Sequence, residues 1–223
     1  YNKFDKGRYL VGQLLDGKNI ALITDAGTPG ISDPGEELVA MCCEAGIEVT
    51  SLPGAAACIT ALTLSGLPTR RFAFEAFLPS DKKERACILQ ELKNETRTII
   101  LYEAPHRLVK MLEELYAELG DRKISLCREL TKKHETVFRD TLSQAIAWYK
   151  ENPPKGECVM VLAGRPREEL VLEERQKWEN MSLEEHLAIY EKEGMSRKDA
   201  MKQVAKDRGI RKRDVYQALL NQE

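Results

Sequence analysis

The spacing of apolar residues changes repeatedly along this chain, and this alternation limits the folds it can adopt more than any other feature. Short apolar runs typical of β-strands occur at 19–24, 47–52, 72–78, 97–102, 123–128, 135–139 and 157–163. Segments with helical spacing lie at 7–16, 35–45, 55–65, 81–93, 105–119 and 142–151. Strands that alternate with helices predict an α/β fold with mainly parallel sheets.

The predicted elements form two α/β domains and a helical tail. The segment SGLPT at 65–69 is a candidate linker. It separates an N-terminal α/β domain over 1–68 from a second α/β domain over 69–165, and an acidic linker with a basic helical tail follows over 166–223. Only two predicted strands precede the linker, and two strands do not form an independently stable sheet. We therefore expect a first domain that is either small and docked or truncated at its N-terminus.

The tail carries most of the positive charge of the chain. Its segment 196–213 holds eight basic and two acidic residues, so it carries +6 and the rest of the chain −8, although the net charge is only −2. Ser196 and Asp199 have the spacing of a helix start, and Gly209 interrupts the pattern in a helix-turn-helix arrangement. The two helices either pack as a simple hairpin or contact a polyanion such as nucleic acid.

Several classes of protein have little support in the sequence. The six cysteines form no CxxC pair, and neither His106 nor His134 has metal-ligand spacing with a cysteine, so we expect reduced thiols and no metal. The chain has no phosphate-binding glycine motif, no GxSxG motif, no secretory leader at Tyr1 and no apolar run of membrane-spanning length. We expect a cytoplasmic protein without a membrane partner.

The loop TDAGTPGISDPG at 24–35 has more glycine and proline than a strand-to-helix connection requires. Asp33 and Pro34 suit the N-cap and first position of the following helix. The part from Asp25 to Ser32 is not explained in this way. Its glycines would let the backbone lie close to a flat or bulky ligand.

Further loops at strand ends lie where α/β sheets place their ligands. The loop LPGAAA at 52–57 leaves backbone amides free at a helix start, which suits either a bound carboxylate or tight helix–sheet packing. The loops YEAPHR at 102–107 and RELTKKHE at 128–135 gather charged side chains, as a solvated surface or a functional site would. The loop KGECV at 155–159 enters the last predicted strand.

Five stretches in order resemble the tetrapyrrole-methylase superfamily of class III S-adenosylmethionine methyltransferases, and within it the ribosomal RNA small-subunit methyltransferase I group. They are DAGTPGISDPG, LPGAAACITALTLSGLPTRRFAFEAFLP, YEAPHR, RELTKKHETVFRDTL and KGECVMVLAG. The likeness covers residues 1–165, and the basic helix pair resembles the small tail domain of that group.

The resemblance implies two α/β domains with S-adenosylmethionine (SAM) in the cleft between them, and a homodimer. It also implies 2′-O-methylation of a cytidine in the decoding region of 16S ribosomal RNA in the small ribosomal subunit. Members of the group begin with a strand and a glycine-rich loop that precede the first residues of this chain. We therefore expect part of the first sheet to be missing here, and a chain that is not fully active.

The resemblance also implies which residues bind the cofactor. Carried over position by position, they are Asp25, Ala26, Gly27, Ile31, Ser32, Ala56, Ala57, Tyr102, Glu103, Leu130, Glu157 and Val159. SAM contains no phosphate, which agrees with the absence of a phosphate-binding loop.

A ribose 2′-hydroxyl is a poor nucleophile near neutral pH and benefits from a base or a nearby cation. Glu129 is the candidate base, Lys132 the candidate cation and His106 an alternative base, whereas Glu129 and Lys132 could instead form a surface ion pair. Basic side chains are suited to RNA phosphates. The candidates for this role are Arg107, Arg128, Arg197, Lys198, Arg211, Lys212 and Arg213.

Two other functions are compatible with the sequence. One is methylation of a corrin or porphyrin precursor, against which the basic tail and the RELTKKHE loop argue. The other is a non-catalytic nucleic-acid-binding module, which would show no heat of binding with SAM in calorimetry.

Overall fold

The computed structural model of the chain describes residues 3–179 and 181–220. The chain forms two compact units, one ending at Gly164 and one starting at Arg165. The first unit contains helices α1 (Lys3–Leu15), α2 (Glu36–Glu44), α3 (Ala57–Ser65), α4 (Lys82–Leu92), α5 (Leu108–Leu119) and α6 (Leu142–Glu151). Its strands are β1 (Phe72–Phe77), β2 (Thr98–Glu103), β3 (Lys123–Arg128), β4 (Thr136–Thr141) and β5 (Cys158–Leu162). None of the helices in the described ranges is both long and apolar enough to span a bilayer.

The strands form one five-stranded sheet within the described residues, in the order β1-β2-β5-β3-β4. The α/β fold class is thereby confirmed, but the prediction of mainly parallel sheets is wrong. Only β1 and β2 are parallel, and β5 lies antiparallel between β2 and β3. Helix α6 follows β4 directly and returns the chain to the edge of the sheet where β2 and β3 end. Strand β5 therefore starts at that edge and runs antiparallel to both.

Two predicted strands, 19–24 and 47–52, are absent from this sheet. Both segments lie outside the helices and strands of the structure, so these two predictions are wrong. The apolar residues are present, but a strand also requires a hydrogen-bonded neighbour, and neither segment pairs with the other or with the sheet. Their side chains stay accessible: Ile23 is 84% exposed and Leu52 is 83% exposed.

The sheet carries a different apolar cluster on each face, because successive residues of a strand point to opposite sides. Ile99 and Leu101 of β2 belong to the larger cluster, which includes the buried stripes of α5 and α6. Ile100 belongs to the smaller cluster, to which α3 contributes Ala61 and Leu62. Helix α3 therefore covers the face of the sheet on which Tyr102 and Val159 lie.

The second unit is helical, with α7 (Arg167–Glu179), α8 (Leu183–Lys192), α9 (Arg197–Arg208) and α10 (Lys212–Leu220). Ser196 caps α9 by accepting a hydrogen bond from the Asp199 amide, and the left-handed Gly209 ends the helix, as the sequence predicts. The core of this unit contains Leu187, Ala200, Val204, Ala205, Val215 and Leu219.

Candidate active site

A cavity of about 450 Å³ lies on the α3 face of the first unit, at the edge where β2 and β3 end and β5 begins. This volume is within the usual range for a small-molecule site. Most of the predicted site residues line it: Asp25, Ala26, Gly27, Ile31, Ser32, Ala56, Ala57, Tyr102, Glu129, Leu130, Lys132, Glu157 and Val159.

The cavity also has lining residues that were not predicted as site residues from the sequence. They are Thr24, Thr28, Asp33, Ala55, Thr60, Phe77, Cys127, Thr131 and Cys158. All of these except Thr60 and Phe77 adjoin a predicted residue in the chain, so the loops themselves contained the signal. Phe77 ends a separate strand and carried no signal in the sequence.

Four predicted site residues of the first unit do not line the cavity, namely Glu103, His106, Arg107 and Arg128. Glu103 is 1% exposed, and its Oε1 accepts a hydrogen bond from the Ala104 amide and lies 3.3 Å from Nε of Arg107. Arg128 donates to the Lys155 carbonyl at 2.7 Å, which ties β3 to the loop before β5. These contacts hold the loops in place.

The remaining predicted RNA-contacting residues lie in the second unit, where their side chains are exposed. Arg197 and Lys198 are in the first turn of α9. Arg211, Lys212 and Arg213 are at the start of α10 and just before it.

The first wall of the cavity consists of two loops joined through their backbones. Thr28 donates its amide and its hydroxyl to the Ala55 carbonyl, at 2.9 Å and 3.0 Å. Gly27 has a φ of +79°, and a Cβ at this position would lie 3.1 Å from the same carbonyl oxygen. Glycine is therefore required here both for the turn and for the close approach of the loops.

The start of α2 differs from the prediction. The helix begins at Glu36 with Gly35 at its N-cap and no side-chain cap, so the assignment of Asp33 as N-cap and Pro34 as first helical residue is wrong. The chain enters the helix two residues later than expected, and Asp33 is left as a lining residue of the cavity.

The second wall is the start of α3, where a side chain of strand β2 caps the helix. Its N-cap residue, Ala56, has no side chain that could accept a hydrogen bond. The Cys58 amide instead donates to the Tyr102 phenol oxygen at 3.0 Å, which satisfies one of the free amides at this helix end. Burial raises the pKa of Tyr102, and the neighbouring Cys58 raises it further. The phenol is therefore neutral at physiological pH.

The third wall is the loop after β3, in which two residues adopt left-handed backbone conformations that are rare outside glycine. Glu129 has a φ of +50° and Thr131 a φ of +64°. Lys132 lies 3.3 Å from Oε1 of Glu129 and is 60% exposed, whereas the Glu129 side chain is 22% exposed. Backbone strain of this kind persists only where the surroundings impose it, and it is concentrated at functional sites.

The lining of the cavity is acidic. Among the described residues, its charged side chains are four carboxylates (Asp25, Asp33, Glu129 and Glu157) and one ammonium group, that of Lys132. Such a lining disfavours a phosphorylated ligand and favours a cationic one. Among the residues that the structure describes, no cluster of His, Cys, Asp and Glu could hold a metal ion.

Comparison with known proteins identifies the family to which the chain belongs. Residues 5–146 match the sequence model of the family described as Tetrapyrrole (Corrin/Porphyrin) Methylases. The chain therefore belongs to the tetrapyrrole methylase family, and the resemblance noted in its motifs is confirmed.

Three curated relatives make the comparison more specific, and each is named ribosomal RNA small subunit methyltransferase I. The protein from Halalkalibacterium halodurans is 46% identical over 97% of this chain and 74% of its own length. The one from Synechocystis is 46% identical over 100% and 78%, and the one from Bacillus subtilis 45% identical over 98% and 74%.

Solved structures show the same fold at much lower identity. The methyltransferase CobJ has a TM-score of 0.54 with 19% identity, over 74% of this chain and 72% of that chain. Diphthine synthase has a TM-score of 0.54 with 16% identity, over 73% and 66%. At these identities the likeness is one of fold alone.

Proposed function

We propose that this chain transfers a methyl group from SAM to a ribose 2′-oxygen of a cytidine in 16S ribosomal RNA. The observation that carries the proposal is the placement of the Glu129–Lys132 pair in the wall of a cavity that is lined by loops with small side chains. The reaction class is supported by the curated relatives, which are named as ribosomal RNA methyltransferases at about 46% identity. The cobalt precorrin-4 methyltransferase CbiF is only 17% identical to this chain, so a tetrapyrrole substrate has weaker support.

The residues of the cavity fit SAM in charge and shape. SAM carries a sulfonium and an ammonium group against a single carboxylate, so its net positive charge suits a lining with four carboxylates and one ammonium group. The amides at the start of α3, near Ala56 and Ala57, would hold its carboxylate. Gly27 and its neighbours would lie against the rest of the molecule. When bound, SAM would supply an electrophilic methyl group on a positively charged sulfur, and transfer of that methyl group would release S-adenosylhomocysteine.

The protein groups act on the nucleophile. Glu129 accepts the proton of the 2′-hydroxyl, and its strained backbone fixes the direction from which it does so. Lys132 stabilises the negative charge that develops on the 2′-oxygen. The surrounding walls hold the reactants in line, which supplies a large part of the rate enhancement when the electrophile is already activated.

The substrate defines the partners of the protein. The exposed basic residues at the starts of α9 and α10 would bind RNA phosphates, and a ribosomal substrate would place the reaction in the cytoplasm. The resemblance to the group also implies a homodimer, which size-exclusion chromatography with light scattering would detect as twice the chain mass.

The test is methyl transfer from labelled SAM to small ribosomal subunits purified from cells that lack this methyltransferase. We expect label in 16S RNA, and mapping by reverse transcription at low nucleotide concentration should locate it on a cytidine ribose. Calorimetry should separately show heat of binding with SAM. Transfer of label to a corrin or porphyrin precursor but not to RNA would contradict the proposal, as would the absence of SAM binding.

A further inference from the structure

Strand β1 contains an irregularity just before the cavity. Phe72, Ala73 and Phe74 pair with consecutive residues of β2, but the next partner of β2, Leu101, pairs with Ala76. One extra residue, Glu75, is therefore inserted in β1. Ala76 has a φ of +51°, a left-handed conformation that is unfavourable for alanine. Such bulges often redirect a side chain next to a functional site.

The bulge decides the direction of Phe77. In a regular strand Phe77 would point to the face opposite Phe74, where the larger apolar cluster would bury it. With the extra residue, Phe77 pairs with Tyr102 and points to the same face as Tyr102. Its ring lies 5.5 Å from the Tyr102 ring, lines the cavity, and remains 50% exposed. The chain thus gives up both regular backbone geometry and burial to place this ring in the cavity.

The distance between Phe77 and Glu129 determines the size of a ligand that can contact both. The Glu129 carboxylate packs against Gly156, which leads into β5. Strand β1 lies two strands from β5, or about 10 Å at the usual strand spacing. One nucleoside can bridge this span, with its ribose at Glu129 and its base at Phe77. No charged lining residue belongs to β1 or β2, so this end of the cavity is suited to a flat, weakly polar group.

We propose that Phe77 is the stacking platform for the base of the nucleotide that is methylated. This inference rests on the proposed function, because it requires an RNA acceptor. Aromatic side chains are the usual partners of unstacked bases in RNA recognition. The bulge at Glu75–Ala76 is then a specificity device that presents the ring to a base turned out of the RNA.

The experiment compares Phe77→Ala, Phe77→Leu and Phe77→Tyr with the unchanged chain in methyl transfer to small subunits. The leucine variant keeps the apolar bulk without the ring, so it tests the ring even if the alanine variant does not fold. We expect both ring-less variants to raise KM for subunits by about tenfold, and tyrosine to restore most of the loss. SAM affinity, measured by calorimetry, should stay unchanged. Tyr116→Ala is the matched control, because Tyr116 is an exposed aromatic residue of α5 outside the cavity.

The outcomes separate this inference from the proposed function. If the unchanged chain methylates no ribosomal RNA, the proposed function fails and the inference fails with it. If the unchanged chain is active and the ring-less variants keep its KM for subunits, only the inference fails. A loss of SAM affinity at an unchanged KM for subunits would assign Phe77 to the cofactor and would also overturn it.

Discussion

Gly156 and Glu129 pack so closely that no side chain larger than hydrogen fits between them. A Cβ added to Gly156 would overlap the carboxylate of Glu129 and also contact its Cγ. Gly156 has a φ of +77°, and Glu129 has a φ of +50°. The carboxylate of Glu129 thus occupies the space that the missing side chain of Gly156 leaves open in the wall of the cavity.

Gly156→Ala should therefore displace the Glu129 carboxylate. We expect kcat for methyl transfer to fall on the order of 100-fold, because small displacements of a catalytic group have effects of this size. The unfolding free energy should fall by about 1–2 kcal/mol, because alanine in the left-handed backbone conformation is strained. Gly120→Ala is the matched control, since Gly120 has a φ of +78° and no atom near a Cβ at that position. It should lose similar stability but keep its activity, and equal kcat values in the two variants would show that the contact with Glu129 has no catalytic role.

The roles of Glu129 and Lys132 can be tested directly. We expect Glu129→Gln to lower kcat by roughly 10²–10⁴-fold, because the amide cannot accept the proton. Lys132→Met should lower it by roughly 10²-fold or more, through loss of charge stabilisation. The double variant should lose less than the product of the two, since the groups act together. Steady-state kinetics with saturating SAM measures all three, with Lys133→Met as an exposed control outside the cavity. Unchanged rates would leave the pair as a surface ion pair.

The sequence predicts the loops of this site better than it predicts the sheet. The loops rich in glycine and alanine can be recognised from their composition. Most of their predicted residues, such as Asp25 and Ala57, line one cavity. Strand direction is not contained in periodicity, so the alternation predicts mainly parallel sheets, whereas β5 and β4 lie antiparallel to their neighbours. The runs 19–24 and 47–52 have strand composition, but pairing depends on a neighbour that local sequence does not specify.

Two features of the site depend on contacts between distant parts of the chain, so local sequence does not predict them. Phe77 reaches the cavity only because of an inserted residue in β1, and a bulge at Glu75–Ala76 has no glycine to mark it. The cap of α3 comes from Tyr102, which is 44 residues from Cys58 in the chain, so no local motif reports it. The family resemblance predicts Glu103 beside the cofactor, but the alternation of side chains along β2 turns it away from the cavity.

The basic residues around the start of α10 should contribute to RNA affinity through electrostatic attraction to phosphates, which salt weakens. Changing Arg211, Lys212 and Arg213 together to Gln should weaken binding to small subunits and lower the slope of log K against log salt by about 2, if each contacts one phosphate. Filter binding over a range of KCl concentrations measures the slope, and calorimetry with SAM should show no change. The control replaces Lys82, Lys83 and Lys93, three exposed lysines of the first unit, with Gln. A slope equal to that of the unchanged chain would exclude phosphate contact by this segment.

His186 should make the second unit sensitive to acid. Its ring is fully buried, stacks on Trp178 at 3.8 Å, and accepts a hydrogen bond at Nδ1 from Nε of Arg208. Burial and the Arg208 charge lower the pKa of His186, although Asp207, 3.4 Å from Nε2, opposes them. The folded state therefore favours the neutral ring. The contribution of His186 to folding stability is fully present above the pKa of the unfolded histidine, about 6.5. It decreases as the pH falls below that value, because the unfolded chain then binds the proton more readily than the folded chain.

The measurement uses thermal unfolding of the whole chain followed by tryptophan fluorescence, with Trp148→Phe as the background so that Trp178 alone reports on the second unit. We expect the midpoint to be lower at about pH 5.5 than at about pH 7.5. His186→Gln keeps a hydrogen-bond acceptor without a titrating ring, and it should reduce this difference. His106→Gln, at an exposed position in the first unit, should leave it unchanged. If the unfolding midpoint of the His186 variant falls by the same amount between these pH values, the pH dependence belongs to other groups, because only the imidazole has been removed.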